Sequence, residues 1–219
     1  MTAGGREGRL TGRFITIEGG EGAGKSTQIA RLVSRLEAAG KTVIRTREPG
    51  GSPGAEAIRN LVVTGAGDRW DGVTEALLMF AARRDHMRAT VWPALERGDW
   101  VVSDRFADSS MAYQGHARGL GPEKIAALYD WTLGDFRPDL TLILDLPVEI
   151  GLGRARARAG DEQRFEGLDL DFHRRISAGF HAIAAAEPAR CRVIDGSGDI
   201  DRTAGLLWAA VADRFDLPR

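Results

Sequence analysis

Residues 19–27 read GGEGAGKST, and Gly19, Gly24, Lys25 and Ser26 fill the fixed positions of the frame G-x-x-x-x-G-K-S. Glycines in such a loop let backbone N–H groups close around phosphate oxygens, and Gly20, Glu21, Gly22 and Ala23 complete the cradle here. Lys25 is placed to bridge the outer phosphates, the Ser26 hydroxyl to hold Mg²⁺, and Thr27 to touch the α-phosphate. The chemistry is that of a nucleoside triphosphate. Glu21 is the oddity, an acid among groups that attract anions.

A second acid near the metal is expected from phosphoryl-transfer chemistry, and Asp104, closing the run WVVSD, is so placed. Arg105 follows it and supplies a bidentate grip for a second phosphate. Arg47 in REPGG and Arg59 add two more guanidinium groups near strand ends. Arg154, Arg156 and Arg158 are spaced so that the first and third share a helix face. The polar, glycine-flanked GDEQRFEG that follows, with Arg164, suits a lid over about 154–168 that closes on phosphates and expels water. His86 and His116 are given no role as bases, because a phosphate acceptor needs no deprotonation at neutral pH.

These residues need a scaffold that brings strand ends together. Short runs rich in β-branched residues or leucine at 13–18, 42–46, 100–104, 140–146 and 192–195 predict five strands. Helical segments are expected after the phosphate loop as far as Gly40, and at 54–63, 73–96 with a break near Pro93, 122–133, 148–158, 170–186 and 200–213. The alternation predicts an α/β protein of three layers, a five-stranded parallel sheet with helices on both faces and a short lid. Residues 13–219 form a single domain in this reading, after a disordered Gly/Arg-rich tail over 1–12.

Composition narrows the partners. Thirty Lys and Arg against 31 Asp and Glu give a net charge of −1, which argues against a nucleic-acid or membrane partner. Cys191 is the single cysteine, excluding an internal disulfide and fitting a reducing cytoplasm, with the thiol expected to be buried. No apolar signal segment opens the chain and no apolar run is long enough to span a bilayer. The NKxD sequence by which GTPases read guanine is missing, since the one asparagine, Asn60, precedes leucine. A small kinase remains, alongside a nucleotide-binding regulatory module without turnover.

EGGEGAGKST, TREPGG, LLMFAARRDH, SDRFADSSMAYQG and LGDFRPDLTLILDLPVEIGLGRARAR, with RFE in the lid, together resemble bacterial thymidylate kinases of the subclass with lid arginines. The resemblance implies a P-loop kinase fold and transfer of the γ-phosphate of ATP to dTMP with Mg²⁺, in a cytoplasmic homodimer. It implies that Lys25, Asp104, Arg105, Arg154 and Arg158 act in catalysis, with Ser26 and Asp104 at the metal. Arg59 and Arg105 hold the dTMP phosphate, Phe80 stacks on thymine and Arg84 bonds its exocyclic oxygen. Arg83 is the rival for that oxygen, and helical spacing from Phe80 favours Arg84. Ser109 and Ser110 lie in the base-contacting stretch, Tyr113 crowds the sugar C2′, and Gln114 is adjacent. Glu21 accepts from the sugar 3′-hydroxyl, and Glu166 is a further acid near the lid. Related enzymes of another subclass carry an arginine where Gly22 stands, and the lid arginines return that charge. A neighbouring kinase for another nucleotide or a deoxynucleoside is the alternative.

Overall fold

A computed structural model describes residues 10–66, 68–157 and 168–218. Five strands, β1 (Arg13–Gly19), β2 (Val43–Arg47), β3 (Trp100–Asp104), β4 (Leu140–Asp145) and β5 (Cys191–Asp195), form one sheet in the order β2-β3-β1-β4-β5. Every pairing is parallel. The apolar runs of β1, β3 and β4 fill its centre, where both faces are covered, as the uninterrupted burial of Phe14 to Gly19 requires.

Along β1 the side chains alternate between two cores. Ile15 and Ile17 pack with Ile29, Leu32 and Leu36 of α1 (Lys25–Ala38) and with Leu207, Trp208 and Val211 of the C-terminal helix α9 (Ile200–Phe215). Phe14 points the other way, into a cluster with Phe80, Phe106, Ile125 and Tyr129. That face is covered by α3 (Gly72–His86), α6 (Pro122–Leu133) and, beside them, α8 (Leu170–Ala186). Cys191 is buried in a further cluster with Phe172, Ile176 and Phe180 of α8.

The predicted strands and helices are present, with boundaries moved by a few residues. The segment expected to break near Pro93 does so as a π-helical turn, Met87–Val91, between α3 and α4 (Trp92–Glu96). Proline cannot donate to the carbonyl four residues back and its ring clashes there, and the wider turn accommodates both. Helix α2 (Pro53–Val63) begins under the Ser52 cap, whose hydroxyl accepts from Ala55 N. Not foreseen was the helical stretch after β3, α5 (Ala107–Ser110) continuing as π-helical Met111–Ala117, because its small and polar residues carry no apolar stripe. Leu10 to Gly12 fall in the tail expected to be disordered, yet Leu10 packs on the Phe14 cluster and Gly12 N donates to Leu95 O at 3.0 Å.

Chain order reverses across β1, whose carboxyl end opens between β3 and β4. That switch point is where parallel sheets of this kind hold ligands.

Candidate active site

The phosphate loop runs from β1 into α1. Gly24 turns into the helix with a left-handed backbone, φ 84°, and Lys25 is its first residue. Lys25 Nζ donates to Gly19 O at 3.1 Å and Gly20 O at 2.9 Å, so the ammonium lies inside the loop. Burial, with the neighbouring Arg105 guanidinium, pulls its pKa down to about 8, against the raising influence of Glu21, Asp104 and Glu18.

Ser26 and Thr27 are exposed on the first turn, and Ser26 Oγ donates to Asp104 Oδ2 at 3.3 Å. The register Ile17↔Asp104 carries the end of β3 to this place. A hydroxyl and a carboxylate oxygen side by side suit Mg²⁺, which keeps water and phosphate ligands and needs one or two protein oxygens. No group of three or more His, Cys, Asp or Glu able to hold a metal occurs among the described residues.

Arg105 has φ 69°, an unusual backbone for a residue with a side chain, costing about 1–3 kcal/mol. Its neighbours hold it there. Arg105 N donates to Ile17 O at 3.0 Å, Ser103 Oγ to Arg105 O at 2.8 Å, and Phe106 N to Glu18 Oε1 at 2.7 Å. The guanidinium is thereby aimed back at the loop, donating to Gly19 O at 3.0 Å, Ser109 Oγ at 3.1 Å and Glu21 Oε1 at 3.0 Å. Tyr113 OH donates to the same Glu21 oxygen at 2.7 Å. Burial works to raise the pKa of Glu21, but Arg105, Lys25 and the Tyr113 hydroxyl outweigh it and bring it down to about 2. Glu18, wholly buried below, goes the other way, to about 8, through burial and the nearby Asp108 carboxylate.

Glu21, Arg59, Arg105, Ser109, Ser110, Tyr113 and Gln114, all singled out by the sequence, line one cavity of about 120 Å³. Arg59 Nη1 donates to Pro49 O at 2.7 Å, tying α2 to the turn after β2. Arg47 is not among the lining residues and instead pairs with Glu56 at 2.9 Å.

Phe80 and Arg84 do not line the cavity, which corrects the sequence reading. Phe80 is 1% exposed in the core, beneath the Arg83 guanidinium at 4.5 Å. Arg84 points away, donating to Thr132 O at 2.8 Å and lying over the Trp92 ring. Met79 and Arg83, also four apart, face the cavity instead. A rotation of one residue, about 100° around the helix, separates the two pairs. Arg83 is fixed by Glu48, a residue the sequence reading passed over, at 2.7 Å, and by Phe106 O and Ser110 Oγ at 3.1 and 3.0 Å. Glu48 also takes His86 Nδ1 at 2.9 Å, while His86 Nε2 meets Thr46 Oγ1 at 2.7 Å, so this histidine braces the wall.

On the loop's other side, Gly22 (φ 68°) meets α7 (Val148–Arg156) so closely that a Cβ on it would fall 1.9 Å from Gly151 O. A Cβ on Gly151 would fall 2.5 Å from Glu21 O. Arg154 is exposed in the last turn of α7. Arg158, Arg164, Glu166 and most of the expected lid lie outside the described residues.

Loop and cavity meet at the Arg105 guanidinium, which bonds the Gly19 carbonyl and the Glu21 carboxylate at once. A parallel sheet with that arrangement at its switch point defines the P-loop kinases. The family described as thymidylate kinase matches residues 17–204. A thymidylate kinase of Caulobacter vibrioides is 57% identical, over 94% of this chain and 99% of its own, and one of Bradyrhizobium diazoefficiens is 54% identical, over 93% and 90%. The crystal structure of thymidylate kinase from Ehrlichia chaffeensis superposes with a TM-score of 0.75 at 34% identity, covering 91% of this chain and 98% of that one. The chain belongs to the thymidylate kinase family.

Proposed function

We propose that the phosphate loop and the arginine-lined cavity divide the two substrates of a dTMP kinase between them. The enzyme transfers the γ-phosphate of ATP to dTMP, giving dTDP and ADP. In our reading residues 19–27 hold the ATP phosphates, with Lys25 on the outer ones. Arg59 and Arg105 hold the dTMP phosphate in line for transfer, where positioning supplies much of the rate. Glu21 takes the sugar 3′-hydroxyl, Tyr113 crowds C2′, and Ser109, Ser110 and Gln114 lie along the nucleoside. The base-facing pair is Met79 and Arg83, in place of Phe80 and Arg84. Ser26 and Asp104 would hold Mg²⁺, whose charge would offset that of the transferring phosphate oxygens. Arg154, with Arg158 of the lid, completes the site when the lid closes, and Glu166 belongs to the same segment.

The observation that carries this reading is the single guanidinium of Arg105 bonded to both a carbonyl of the donor loop and an acid of the acceptor cavity. One domain over 13–219, cytoplasmic location and a homodimer complete the proposal. No helix among the described residues is long and apolar enough to cross a membrane. Val73 and Leu77, four apart on α3 and 56% and 48% exposed, offer an apolar face that supports self-association. Coupled measurement of ADP release over dTMP, dUMP, dCMP, dGMP and thymidine tests the activity. Turnover of dTMP no greater than that of dCMP would overturn the substrate assignment.

A further inference from the structure

Gln114 is 1% exposed in the cavity wall, and its side-chain Nε2 donates to Glu75 Oε1 at 2.7 Å. Glu75 lies fully buried in the first turn of α3, and its other oxygen accepts from Arg118 Nη2 at 3.3 Å. A carboxylate only accepts, so it must meet the NH₂ end of the Gln114 amide and not the carbonyl end. The Gln114 Oε1 is then left buried with no hydrogen-bond partner among the described residues, and Gln114, unlike Glu75, lines the cavity. Arg83 is in the complementary condition. Its Nε and Nη2 are taken by Glu48, Phe106 O and Ser110, and its Nη1 is a buried donor likewise without a partner. Among the wholly buried side-chain atoms of the described wall residues, Gln114 thus carries a spare acceptor and Arg83 a spare donor.

We propose that Glu75 is a positioning residue that determines base specificity, by holding the Gln114 carbonyl toward the cavity so that the site selects a ring N–H beside an exocyclic carbonyl. Thymine and uracil present that edge at N3 and O4. Cytosine presents its inverse, a bare ring nitrogen beside an amino group, and would leave both buried protein groups unpaired against like groups. Glu75 itself touches no substrate atom. The inference rests on the dTMP reading above.

Glu75→Gln tests it, since a glutamine can either donate or accept and lets the Gln114 amide turn over. The ratio of kcat/KM for dTMP to that for dCMP should fall by about tenfold or more, through a higher KM for dTMP and a gain with dCMP. Affinity for a non-hydrolysable ATP analogue should be unchanged. Equal losses with both nucleotides, leaving the ratio intact, would mean a merely structural role and overturn the proposal. A wild-type enzyme indifferent to dTMP and dCMP would overturn the base reading itself, a separate failure. NMR of the wild-type Gln114 side-chain amide decides the case even if the variant does not fold. Its NH₂ signals should stay protected and nearly unshifted when dTMP saturates the site, and contacts from those protons to the base would overturn the assignment.

Discussion

Arg105 and Glu21 form an ion pair at 3.0 Å, each side chain less than a fifth exposed, across the boundary between phosphate loop and cavity. Removing one member of such a pair leaves the other's charge with less compensation than folding arranged for it. The carboxylate also fixes Tyr113. Glu21→Ala should therefore lower kcat/KM for dTMP by about 10²-fold, while the dissociation constant of an ATP analogue stays within about threefold. Loss of ATP affinity with dTMP handling intact would reverse the assignment of Glu21.

Lys25 gives the pH dependence. Its folded pKa of about 8 lies below the ordinary 10.5. Between those values the unfolded chain still holds a proton that the folded loop has released, so this group's contribution to stability rises as pH climbs through that window. Binding runs the opposite way, because phosphate wants the ammonium. Titration calorimetry with an ATP analogue should show affinity falling as pH passes about 8, and Lys25→Met should flatten the profile. An unchanged affinity from pH 7 to 9.5 would contradict the assignment.

Met79 and Arg84 separate the two readings of α3. Met79→Ala should raise KM for dTMP by about five- to tenfold, whereas Arg84→Ala, trimming an exposed guanidinium, should leave kcat/KM within about threefold. The reverse pattern would restore the Phe80 and Arg84 pair.

Strands, most helices and the phosphate loop were legible because each is a local pattern: apolar runs, a 3.6-residue stripe, a glycine frame. The face of α3 was not. Its run of consecutive apolar residues from Ala76 to Ala82 leaves several faces equally apolar, so spacing identifies pairs without saying which pair looks into the cavity. Glu48 settles it by capturing Arg83 from 35 residues away. Glu18, bonded to Phe106 N from 88 residues away, and Glu75 were missed for the same reason, since a buried acid is recognisable only once its donors have been brought to it.

On the function proposed above, Arg158 acts mainly in the transition state. Arg158→Ala should cut kcat by about 10²-fold or more with little change in dTMP affinity. A parallel loss of dTMP binding in equilibrium titration would instead make it an ordinary substrate ligand.

Gly22→Ala combines a left-handed backbone with a clash against Gly151 O. Thermal and denaturant unfolding should show a loss of more than about 2 kcal/mol, and ATP binding should weaken with it. An unaltered melting curve would show that the seat of α7 yields freely.

The close approach of Gly22 to Gly151 also constrains how such a chain can change by descent. A side chain at position 22 and the tight seat of α7 exclude one another sterically, so a cation can be carried on the loop or brought in by a helix that leans on it. A side chain placed at position 22 would press on α7, the helix that carries Arg154. On this geometry, exchanging one arrangement for the other takes coordinated changes at the loop and at α7.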